Sequence, residues 1–133
     1  MDTFTISVSR QSEPAELTTL HLSGRLDSEN ELRLRDQAIQ LHASGARHLL
    51  LDLEKVDFIS SAGLRAIHII YKLFTPPEEI TAWRPGGDVY KTPYLKLVCP
   101  SPKIYGVLNL AGFLHNISFF NNMADALASF GQP

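Results

Sequence analysis

Residues 48–53, His-Leu-Leu-Leu-Asp-Leu, form the most apolar strand-length run in the chain. A run of this length without polar alternation suits a strand in the middle of a sheet, buried on both faces. What flanks it must cover it. Upstream, Asp27-Ser28 followed by Glu31 supplies a capping residue and an acidic first turn, so a helix is predicted from about Ser28 to Ser44, with Gly45 at its C-terminal end. Leu34, Ala38 and Leu41 recur at spacings of four and three and draw one apolar line along that helix. Downstream, Phe58-Ile59 lead into Ser60-Ser61-Ala62-Gly63-Leu64, and a second helix is predicted from about Ser61 to Phe74, closed by Thr75-Pro76-Pro77.

The remaining elements follow from the same periodicities. Phe4, Ile6 and Val8 alternate with Thr5, Ser7 and Ser9 as a half-buried strand, and Leu17 to Leu22 form a second strand that Gly24 ends. Strands so close in sequence form an antiparallel hairpin. Tyr94 to Cys99 read as a strand, Ser101-Pro102 as the cap and first turn of a helix reaching Ala111, Ile117 to Phe120 as a last strand and Asp125 to Phe130 as a last helix. The fold class is therefore α/β: a single domain over residues 1–133, with a mixed sheet of about five strands, an opening antiparallel hairpin, parallel crossovers and about four helices. Only Thr75–Pro93 breaks the pattern and reads as a loop insertion. Its tryptophan, Trp83, either folds back onto the body or docks a partner.

Charge and composition narrow the function. Twelve Lys and Arg against 14 Asp and Glu give a net charge of −2, without the basic excess of a nucleic-acid binder. The single cysteine, Cys99, excludes an intrachain disulfide and any multi-cysteine metal site. His21, His42, His48, His68 and His115 show no ligand spacing, so neither metal nor cofactor is expected. The N-terminal residues carry no apolar signal core and no run approaches membrane-spanning length, so a cytoplasmic protein without membrane insertion is expected.

The second helix carries the most informative surface. Leu64, Ala66, Ile67, Ile69, Ile70, Tyr71, Leu73 and Phe74 take up most of its circumference and leave a narrow polar stripe of Ser61, Arg65, His68 and Lys72. A phosphate on Ser61 would meet the unpaired amides and positive dipole end of the helix, with Arg65 one turn away. It would add about −1.5 to −2 charges at neutral pH, as much as the whole formal net charge. The simpler reading is a serine that only caps the helix. On the first helix, Leu32 and Ile39 project roughly 160–180° from the buried line, either as scattered surface aliphatics or as part of a partner-binding patch. No nucleophile elbow, Walker loop or dinucleotide fingerprint is present, so no catalytic residue is assigned and the chain does not read as an enzyme. Asp27 and Asp52 lie near predicted strand ends, and Asp52 reads as a buried structural carboxylate or simply the end of a strand.

Leu50-Leu51-Asp52-Leu53-Glu54-Lys55-Val56-Asp57-Phe58-Ile59-Ser60-Ser61-Ala62-Gly63-Leu64-Arg65 resembles the central motif of STAS domains, especially the bacterial anti-sigma factor antagonists. Gly24-Arg25-Leu26-Asp27 is similar to the family's segment before the first helix, and Ser101-Pro102 with Leu108-Asn109-Leu110-Ala111-Gly112-Phe113 to its third-helix signature. The resemblance implies a small sheet with helices on one side. It also implies a protein that binds an anti-sigma factor with serine kinase activity, is released on phosphorylation, and is restored by a metal-dependent serine phosphatase. Aligning on Gly63-Leu64 places the phosphoacceptor at Ser61, with Ser60 as the alternative, and Asp27 at an acidic position near it. Gly24, Asp27, Ser60, Gly63, Leu64 and Arg65 would then surround the contact, with Leu32 and Ile39 outlying. The family's Asp before the acceptor is Ser60 here, and the Ser or Thr after it is Ala62. The resemblance leaves one alternative: an unphosphorylated STAS subunit of a membrane lipid-transport or transporter assembly.

Overall fold

The computed structural model describes residues 4–13, 15–82 and 90–131. β1 (Thr5–Gln11) and β2 (Leu17–Leu26) pair antiparallel, with Thr5 opposite Ser23 and Gln11 opposite Leu17. α1 (Glu31–Ala43) leads to β3 (Leu49–Ile59), parallel to β2, and α2 (Ser61–Phe74) leads through a short α3 (Pro77–Thr81) to β4 (Thr92–Val98), parallel to β3. α4 (Pro102–Leu110) and a 3-10 turn (Phe113–Asn116) precede β5 (Ile117–Phe120), parallel to β4, and α5 (Met123–Phe130) closes the chain. The strand order is β1-β2-β3-β4-β5, so the run at 48–53 does lie at the centre of a mixed five-stranded sheet.

The alternation of β3 sorts two cores. Leu49, Leu51 and Leu53 join Leu20 and Leu22 of β2 beneath Leu34, Ala38 and Leu41 of α1, Ala66, Ile67 and Ile70 of α2, and Ile104 and Leu108 of α4. Leu50 points the other way and packs with Leu17, Val98 and Ala126, flanked by Phe120, Met123, Leu127 and Phe130. α5 therefore covers the opposite face of the sheet, a correction to helices on one side only, because Val98 and Leu50 leave an apolar strip there that must be buried.

Several boundaries differ from the sequence expectation for stated reasons. β3 continues past Leu53 to Ile59 because its pairing with β4 ends at Asp52 opposite Val98, while pairing with β2 runs on to Leu26 opposite Ile59. Beyond Asp52 the strand is no longer central, so it carries exposed Glu54, Lys55 and Asp57. Likewise β2 passes through Gly24, whose φ of 101° accommodates the register shift beside Arg25, and does not stop there. α1 begins at Glu31, not Ser28: the Asp27 carboxylate accepts from the Glu29 amide (3.0 Å) and Asn30 Nδ2 (3.3 Å), which builds a turn before the helix.

The segment expected to be a loop insertion contains α3 and the start of β4, and side-chain hydrogen bonds tie its two ends together. Glu79 of α3 accepts hydrogen bonds from the Tyr90 hydroxyl (3.0 Å) and the Tyr94 hydroxyl (2.7 Å), and the Thr75 and Thr92 hydroxyls meet at 2.9 Å. Trp83 lies outside the described residues. Burial and the Glu79 carboxylate push the Tyr90 phenol from an ordinary 10.0 up to about 12. The folded state thus holds that proton more tightly than the unfolded state. Its contribution to stability is complete below pH 10 and is lost as pH rises to about 12. Denaturant unfolding across that window should show the decline, and Tyr90→Phe should remove this component of it.

Candidate functional site

The carboxyl ends of β2 and β3 reach past β4 and carry the start of α2. The Ser60 amide donates to the Leu26 carbonyl at 3.0 Å and ties the helix entry to the end of β2. Ser60, extended at φ −90° and ψ 176°, is the N-cap: its hydroxyl accepts from the Gly63 amide at 3.3 Å and its carbonyl from the Leu64 amide at 2.9 Å. Ser60→Ala should cost about 1 kcal/mol in denaturant unfolding, the usual worth of a serine cap. Ser61 is the first helical residue, with an exposed side chain. The two adjacent serines are thus divided by backbone position: one caps, the other faces solvent.

Gly63 sets how closely the helix docks. A Cβ there would lie 2.5 Å from the Leu26 carbonyl oxygen, 2.9 Å from Leu26 Cγ and 3.0 Å from Ile59 Cγ2. The absence of a side chain lets the first turn of α2 rest against the ends of both strands.

The charge at the ends of β2 and β3, which lead into α2, is mixed. The Arg25 guanidinium lies 4.0 Å over the Phe58 ring, and its Nε is 3.6 Å from the Asp27 carboxylate. Lys103 of α4 donates to the Asp57 carbonyl at 3.2 Å. Along α2, Arg65 and Lys72 are exposed, as the helical spacing predicts. His68 is half-buried and its ring stacks on Tyr71 at 6.0 Å; burial, followed by the Lys72 charge, lowers its pKa. The middle of the stripe therefore carries less positive charge at neutral pH than its composition suggests.

Gly24, Asp27, Ser60, Ser61 and Gly63 are thus set by one structural corner, the joint of β2, β3 and α2, with Arg65 one turn along. Leu64 is half-buried and packs on the main core, so its contribution there is to hold the helix. Leu32 and Ile39 are 51% and 47% exposed on the outer side of α1, away from its buried line of Leu34, Ala38 and Leu41. Sequence spacing missed Arg25 and Phe58. Both lie inside the quoted motifs, and the usable signal was the strand character of residues 54–59, which puts Phe58 beside Arg25 across the ladder. Among the described residues no group of three or more His, Cys, Asp or Glu could hold a metal ion, and no helix is long and apolar enough to cross a membrane.

The STAS domain family model matches residues 8–76. No curated protein sequence matches. Among solved structures, the chain is similar to an anti-sigma factor antagonist from Mycobacterium paratuberculosis at 18% identity and a TM-score of 0.74, covering 98% of this chain and 96% of that one. It is also similar to the Bacillus cell fate determinant SpoIIAA in its phosphorylated form, at 19% identity, a TM-score of 0.58 and coverage of 95% and 97%. A third likeness is to the murine anion transporter Slc26a9, at 15% identity and a TM-score of 0.65, where 99% of this chain covers 22% of that one.

Proposed function

The chain belongs to the STAS domain family, and from that premise we propose that it is a phosphorylation-switched binding protein of the anti-sigma factor antagonist type, with Ser61 as the acceptor. The unmodified corner at Gly24, Asp27, Ser60, Ser61, Gly63 and Arg65 binds an anti-sigma factor with serine kinase activity in the cytoplasm. Phosphate releases the pair and a metal-dependent serine phosphatase resets it. The observation that carries this reading is the division of labour between the two serines: Ser60 is engaged as the cap, and Ser61 stands exposed on the first turn of α2. A phosphate there meets free helix amides and adds about −1.5 to −2 charges to a small surface. A docked partner would have to bury that charge or be repelled by it.

The test is fragment mass spectrometry of the Lys55–Arg65 peptide from protein isolated from its host during growth and stress. Phosphate on Ser61 that changes with condition supports the switch, and Ser61→Ala should keep partner binding while taking up none. Phosphate confined to Ser60 would overturn the acceptor assignment. The likeness to Slc26a9 favours a second reading, an unphosphorylated STAS module in a transporter assembly. Persistent absence of phosphate from a well-detected peptide would shift the conclusion to that reading.

A further inference from the structure

On the face of the sheet opposite Leu20, Leu22, Leu51 and Leu53, three side chains from three adjacent strands form a continuous relay. His21 of β2 places Nδ1 2.7 Å from the Asp52 Oδ2 of β3 and Nε2 2.8 Å from the Ser9 hydroxyl of β1. The other Asp52 oxygen accepts the Glu54 amide at 3.0 Å, which fixes the carboxylate's orientation. Asp52 side-chain exposure is 13% against 35% for His21, so the carboxylate is sheltered and the ring reaches outward to an exposed serine. α5 covers this face around Leu17, Leu50 and Val98. A carboxylate accepting from Nδ1 places the imidazole proton there and leaves the Nε2 lone pair facing the serine hydroxyl. This is the arrangement by which a histidine takes a serine proton as the oxygen attacks.

We propose that Ser9 is an activated nucleophile that accepts an acyl group from an activated ester, with His21 as its base and Asp52 as the positioning residue. Ser9 Oγ bonds to the ester carbonyl carbon as its proton passes to His21 Nε2. The bond to the leaving alkoxide then breaks, and the leaving group departs with that proton. No second reactant is needed. The reaction is slow transfer from a donor with a good leaving group to one hydroxyl, distinct from the switch at Ser61. A purely structural relay, holding edge strand β1 to β2, predicts no selective reactivity.

The experiment exposes the full chain briefly to p-nitrophenyl acetate and locates acetyl groups by fragment mass spectrometry, with exposed Ser61 as the internal reference. Ser9 should be acetylated about 100-fold faster than Ser61, the order of general-base assistance. His21→Ala should bring Ser9 down to the Ser61 rate, and the near-isosteric Asp52→Asn should slow Ser9 while leaving Ser61 unchanged. Equal rates at Ser9 and Ser61 in the unmodified sequence would overturn the proposal without reference to any variant's folding. Ser9 labelling that survives His21→Ala, with circular dichroism unchanged, would overturn the role of His21.

Discussion

Ser61→Glu is expected to weaken binding to the proposed kinase partner by about 100-fold or more while leaving the protein as stable as before or slightly more so. The two effects have opposite signs because they arise from different neighbours. Within the chain, a carboxylate in the first turn of α2 meets unpaired amides and the positive end of the helix dipole, worth about 0.3–1 kcal/mol in its favour. Across an interface the same charge must be desolvated or faces like charge, and a penalty of about 3 kcal/mol is a factor of about 100 in affinity. Isothermal titration of the partner, paired with denaturant unfolding, reads both. A variant that binds normally would remove Ser61 from the contact. A variant that loses binding together with stability would mean that the substitution had disturbed the fold.

Gly63→Ala should instead fail by stability. The added Cβ would press on the Leu26 carbonyl oxygen at 2.5 Å and on Leu26 Cγ at 2.9 Å, and the first of these is backbone inside a sheet. Alanine's better helix propensity returns about 1 kcal/mol at most. Overpacking against an unyielding neighbour costs about 3 kcal/mol, at the upper end of its usual range, so a net loss of about 2 kcal/mol is expected. Gly106 in α4 is the control, because a Cβ there meets nothing within 4 Å. Gly106→Ala should be stabilising by about 0.5–1 kcal/mol. Equal outcomes for the two substitutions would show that Gly63 does not set the docking distance of α2.

The helices were legible where their apolar residues repeat. Leu34, Ala38 and Leu41 are the buried residues of α1, as their spacing required, and Arg65 and Lys72 lie exposed on α2. The Ser101 cap of α4 was legible as well: its hydroxyl accepts from the Ile104 amide at 3.3 Å. Less legible were the far halves of β2 and β3. Hydrophobicity marks a strand only while it is covered on both faces, and residues 54–59 extend beyond β4 as a half-exposed ladder. Asp52 was misplaced for the same reason: it lies inside β3, not near its end.

The order of the five strands and four longer helices, the central strand, the polar stripe of α2 and the pair of serines at its start were all written locally, because each depends on the conformation of a few consecutive residues; the short α3 was not. Tertiary structure alone decided which serine caps, how closely Gly63 rests on Leu26, the placing of Arg25 over Phe58, and the meeting of Ser9, His21 and Asp52. Those contacts join residues far apart in the chain, and their geometry depends on strand register and on bulges near His21 and Gly24. A shift of one residue in register turns every side chain of a strand to the other face, and no local periodicity records that choice.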